Sequence, residues 1–137
     1  MRWADQLIRL SNFELELLQS RLAEVVGRRE SAQLKLAVLT AQGEAEIALA
    51  RRDPETAWSA GAFAEALKHK KLAAQNDIDA LAAEEEGARD AIAEAFETLK
   101  KYEHVAENAR QAEARRMARR EAAAMDELGQ RRAAGRR

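Results

Sequence analysis

The sequence predicts an all-α fold, a long antiparallel two-helix coiled-coil hairpin with an overhanging C-terminal helix end, on three observations. Alanine fills 32 of 137 positions and, with Leu, Glu, Arg and Lys, dominates a chain that is 34% charged, the mixture of long helices. There are only six aromatic residues and one proline, too few β-formers and turn residues for sandwiches, barrels or α/β enzymes. Finally, the stretches on either side of that proline both carry apolar residues at alternating spacings of three and four, the heptad pattern of a coiled-coil seam.

The first helix is expected over about residues 2–51. Its seam reads Leu15, Leu18, Leu22, Val25, Arg29, Ala32, Leu36, Leu39 and Gly43, seven of nine apolar. Ser11-Asn12-Phe13-Glu14 also fits a capping box and offers an alternative start at Ser11. Trp3, Leu7 and Leu10 already keep the helical period, which favours the earlier one. A turn follows at about 52–54, because the ring of Pro54 cannot continue a preceding helix but suits the first turn of a new one. Asp53 is placed to cap that new helix.

The second helix is expected over about residues 54–130. Its seam is Ala74, Ile78, Leu81, Glu85, Ala88, Ile92, Ala95, Leu99, Tyr102, Ala106 and Ala109, ten of eleven apolar. Stripes this narrow do not sustain isolated helices, and a short connection makes neighbours antiparallel. One hairpin of residues 1–137 results, with facing positions totalling about 107, Trp3 near His104, and no partner beyond about Val105. There the seam gives way to Arg115-Arg116 and Arg119-Arg120 beside a thinner line of Ala114, Ala118, Met125 and Leu128. Gly129 and Gly135 are expected to end the helix, and a basic tail runs to residue 137.

Charge follows the same division. Residues 1–109 hold 14 basic and 20 acidic side chains, whereas residues 110–137 hold 9 and 4. The basic tail suits a protein partner with an acidic or mixed lining; it lacks the aromatic interleaving of a nucleic-acid patch and carries Glu113, Glu121, Asp126 and Glu127 on the same helix. A two-helix hairpin has no interior beyond its seam for a catalytic pocket. His69 and His104 stand too far apart on one helix to share a metal, Glu84-Glu85-Glu86 reads as a solvated face, and no cysteine is present. No enzyme activity, cofactor, metal or small-molecule substrate is expected. With no apolar run of about 20 residues, the chain is expected in the cytoplasm.

Three local features bear on partners and register. Arg29 and Glu85 are polar on otherwise apolar seams, as residues that fix register are. Gly43 and Gly61 lie near the turn, suited either to close helix packing or to a yielding tip. Trp58 and Phe63 also lie near it, and they either close the tip as a satellite cluster or stand exposed as a partner anchor.

The run Gly87-Ala88-Arg89-Asp90-Ala91-Ile92-Ala93-Glu94-Ala95-Phe96-Glu97-Thr98-Leu99-Lys100-Lys101-Tyr102-Glu103-His104-Val105-Ala106-Glu107 resembles the alphaproteobacterial branch of the flagellar export protein family FliJ. The opening Trp3-Ala4-Asp5-Gln6-Leu7-Ile8-Arg9-Leu10 and the late Asp126-Glu127-Leu128-Gly129 are similar to it too. The resemblance implies an antiparallel coiled coil like the rotary ATPase γ subunit, in the cytoplasmic part of the flagellar type III export apparatus. It also implies contacts with the export ATPase ring, the cytoplasmic domain of the export gate and export chaperones. An ATPase contact near the termini would fall on Arg115, Arg116, Arg119, Arg120, Met125 and Leu128. A gate contact near the turn would fall on Trp58, Phe63 and Leu67. Membrane association would come only through such partners. The competing readings are a coiled-coil scaffold or adaptor outside secretion, and a nucleic-acid binder using the basic tail.

Overall fold

The structure, a computed structural model, describes residues 2–135; Arg136 and Arg137, the end of the expected tail, lie outside the described residues. Two long helices pack against each other: α1 spans Arg2–Arg52 and α2 spans Ala60–Gly135, with a single 3₁₀ turn, Ala57–Ser59, before α2. No strand occurs among the described residues. α1 carries Asp5 in its first turn and Arg51 and Arg52 in its last, each sign matched to the partial charge of its helix end. Ser11 lies inside α1 and is buried, so the capping-box start is not used. Its side chain is spent on the seam.

The connection is longer than the expected 52–54, and α2 starts at Ala60 rather than near Pro54. Asp53 caps a turn instead of a helix: its Oδ1 accepts the Glu55 N–H at 3.0 Å, and its carbonyl accepts the N–H groups of Thr56 and Ala57 at 3.1 and 2.9 Å. The physical reason for the delay is Thr56. Its hydroxyl donates to the Ala50 carbonyl at 2.9 Å, satisfying one of the orphan acceptors at the end of α1. Thr56 is held at φ −110°, ψ −8°, at the bridge edge of the right-handed helical region, and the turn begun at Pro54 passes into the single 3₁₀ turn before α2 starts. α2 also outlasts Gly129, because no described glycine has a positive φ, the conformation that lets glycine terminate a helix. Arg131 Nη2 and Glu127 Oε1, 3.0 Å apart, pair across Gly129.

The helix pair divides into two compact units, Met1–Leu15 with Glu94–Arg137, and Glu16–Ala93. In the first, the buried residues are Ala4, Ser11 and Leu15 on α1 and Leu99 and Ala106 on α2. In the second they are Val25 and Ile47 on α1 and Ala60, Ile78 and Ala88 on α2. Every seam residue named from the sequence, from Leu15 to Gly43 and from Ala74 to Ala109, is buried or half-buried. The second unit's seam also runs further toward the turn than those lists, through Ile47 and Ala50 on α1 and Ala60, Ala64, Leu67 and Lys71 on α2.

Register departs from the expected one. Gly43 meets Leu67, Arg28 meets Glu84 and Arg29 meets Glu85, pairs whose numbers total 110, 112 and 114 instead of about 107. The longer connection is the cause, since moving its centre along the chain by a few residues moves every facing pair with it. Gly43 proves to be a close-packing position: a Cβ there would lie 2.5 Å from Leu67 Cδ1. Gly61, the other glycine near the turn, has open space around it.

Candidate partner-binding surfaces

In the second unit, the residues beside the connection present apolar groups to solvent. Trp58 sits in the 3₁₀ turn with 85% of its surface exposed, although its indole N–H donates to the Glu55 carbonyl at 2.8 Å. Anchoring one edge of the ring to backbone fixes the indole outward, so Trp58 does not close a satellite core. Phe63, in the first turns of α2, is 57% exposed. Leu67 behaves differently: half-buried, it packs over Gly43 as part of the seam. Phe63 and Leu67 share a groove of about 370 Å³ with Gly43 and Ile47. Leu49 and Leu72 are further exposed apolar residues of this unit. They were missed because each stands off the seam, where an isolated leucine carries no signal.

Midway along the same unit, the two polar seam residues prove to be each other's partners. Arg29 Nε lies 2.7 Å from Glu85 Oε2, an ionic contact in which the N–H is not aligned for a hydrogen bond. Arg89 Nη2 donates to the other carboxylate oxygen at 3.1 Å, and Arg28 and Glu84 stand 3.5 Å apart alongside. Glu84-Glu85-Glu86 is therefore only partly a solvated face. Its middle member is held between two guanidinium groups.

In the first unit, α2 continues past its last half-buried residue, Ala109, and every residue from Arg110 to Gly135 is exposed. Alanine-rich sequence and local ion pairs, Arg116 to Glu113 at 3.2 Å and Arg131 to Glu127 at 3.0 Å, keep this stretch helical without a partner. Arg115, Arg116, Arg119 and Arg120 all lie on it in the open, with Met125 at 70% exposure and Leu128 close by. Met117 is exposed as well; its helical spacing of three from Ala114 and eleven from Leu128 could have added it to the apolar line. All six residues singled out here thus share one surface element. Trp58 stands in the 3₁₀ turn and Phe63 on α2, and Leu67 belongs to the packing beside Phe63.

Among the described residues no group of three or more His, Cys, Asp or Glu could hold a metal ion, and no helix is long and apolar enough to cross a membrane. What the surfaces offer chemically is recognition: apolar and aromatic anchors in one place, planar cationic donors in another. No protein-family model matches the chain, and no solved structure matches it. Among curated proteins, the Flagellar FliJ proteins of Caulobacter vibrioides strains NA1000 / CB15N and ATCC 19089 / CIP 103742 / CB 15 are each 48% identical to it over 133 residues, covering 97% of this chain and 96% of theirs. With identity of that order over almost the full length of both partners, the chain belongs to the flagellar FliJ family.

Proposed function

We propose that the chain is a non-enzymatic, cytoplasmic component of the flagellar type III export apparatus that couples to the export ATPase and stimulates it. Membership of the flagellar FliJ family over 97% of the chain is the observation that carries the flagellar part of this reading. The ATPase contact is assigned to the fully exposed stretch of α2, through Arg115, Arg116, Arg119, Arg120, Met125 and Leu128. Support comes from physical chemistry: an unpartnered helix with an apolar line beside guanidinium groups fits a protein surface of acidic character, where the planar fork of arginine docks on carboxylates and opposite charge speeds encounter. The export gate is assigned to Trp58 and Phe63, whose exposure beside the connection suits an aromatic anchor, and export chaperones complete the set of partners.

The test is the ATPase itself. Arg115→Glu, Arg116→Glu, Arg119→Glu and Arg120→Glu combined in the full chain are expected to abolish stimulation of phosphate release at low salt while leaving the melting transition of the helix pair in place. Stimulation equal to that of the unaltered chain would move the contact elsewhere.

A further inference from the structure

The exposed stretch of α2 carries a charge sequence with an orientation of its own. Four arginines, Arg115, Arg116, Arg119 and Arg120, fall in one block, and three acids, Glu121, Asp126 and Glu127, fall in the next. Between the basic and the later acidic groups lie Ala122, Ala123 and Ala124, of which Ala124 falls on the pairing face and is small enough for two helices to approach closely. Among the described residues Arg115, Arg119 and Arg120 make no ion pair, while Arg116 and Arg131 are taken by their own helix. Apolar groups are spread on both sides of the alanines, Met117 before them and Met125 and Leu128 after.

We propose that this stretch is a self-recognition surface, and that two copies of the chain pair antiparallel along it about a two-fold axis between Ala122 and Ala123. Heptad geometry makes the assignment specific. With core positions at Ala114, Met117, Glu121, Ala124 and Leu128, the antiparallel register places Met117 opposite Leu128 of the second copy and Ala118 opposite its Met125. The flanking Arg120 then faces Glu127 of the second copy, drawing that carboxylate from its exposed partner Arg131 on the same helix, and the two-fold repeats each contact, as an isologous interface requires. Every large apolar side chain of the stretch gains an apolar partner in this register. Its cost is Glu121, which falls opposite Ala124 beside the axis. A parallel pair would instead set the arginine blocks against each other. The assignment stands independently of the export reading. If both hold, self-pairing covers Met125 and Leu128 and excludes the ATPase while it lasts.

The test uses the full chain, which has no cysteine of its own. Met117→Cys with Leu128→Cys places two thiols about 16 Å apart on one helix, beyond disulfide reach within a chain, so any disulfide joins two copies. Under mild oxidation this variant is expected to form covalent dimers ~10-fold faster than Arg119→Cys with Asp126→Cys, whose positions face away from the pairing, because pairing raises the effective concentration of the facing thiols. Adding Arg120→Glu or Glu127→Arg should remove that advantage, and adding both should restore it. Equal rates for the two cysteine pairs, or no recovery in the charge-swapped variant, would overturn the proposal.

Discussion

Arg29 and Glu85, two charged residues set into otherwise apolar seams, meet across the helix pair with Nε and Oε2 2.7 Å apart. Their side chains keep 26% and 13% of their exposure, so both are largely withdrawn from water. A slip of one heptad would set each against an isoleucine or leucine and leave it unpaired, which is how a polar pair specifies one register over its neighbours.

Removing one partner should therefore cost more than removing both. Glu85→Ala leaves Arg29 and Arg89 facing each other without their shared carboxylate, and a loss of about 2 kcal/mol is expected in thermal or denaturant unfolding. Arg29→Leu with Glu85→Leu should be no less stable than the unaltered chain, since apolar seam residues of similar size replace a desolvated ion pair. A double variant weaker than the unaltered chain would show that the pair contributes net stability.

The glycines separate into two classes. Gly43→Ala would drive its new methyl into the Leu67 side chain, whose Cδ1, Cδ2 and Cγ would lie 2.5, 2.8 and 3.2 Å from it. Overpacking of about 1–3 kcal/mol outweighs the gain in helix propensity of about 1 kcal/mol, so net destabilisation is expected, and Leu67→Ala in the same chain should remove it. Gly27 and Gly87, both within the paired part of the helices, have open space and ordinary φ; alanine at each should stabilise by about 0.5–1 kcal/mol. Melting temperatures of the three single variants check the contrast.

Trp58→Ala with Phe63→Ala tests the gate anchor. Trp58 contributes one indole hydrogen bond and almost no buried surface, so unfolding should shift by about 1 kcal/mol or less. Motility and gate binding should fall while the helical signal stays. A large loss of stability would show that the aromatic residues hold the connection together.

The seams were legible in the sequence because burial in a coiled coil is set by one periodicity, and each of the residues stepped off from Leu15 and Ala74 lies out of full exposure. Register was not, since it depends on where the connection is centred, and that turned on one hydroxyl, Thr56 bonded to the Ala50 carbonyl. The seam beside the connection was hidden by Lys71, whose charged side chain interrupts the apolar run between Leu67 and Ala74. The resemblance sets Leu67 among the gate contacts near the turn, and only its fit over Gly43 reveals a packing role. Glycine permits a helix stop, but with Arg131 and Glu127 paired across Gly129, the helix continues. Exposure of the overhang, by contrast, followed from the composition: once the seam breaks into arginines, nothing in the chain can cover it.

Under the proposed function, the part of α2 beyond Ala109 couples this chain to the export ATPase and is not needed for the helix pair to fold. No residue from Arg110 to Gly135 is buried, so deleting residues 110–137 should leave the melting transition of the helix pair in place. The deciding measurement is phosphate release by the export ATPase at low salt with the truncated and the full chain compared at equal concentration. Loss of stimulation with a retained transition is the predicted result; undiminished stimulation by the truncated chain would contradict it.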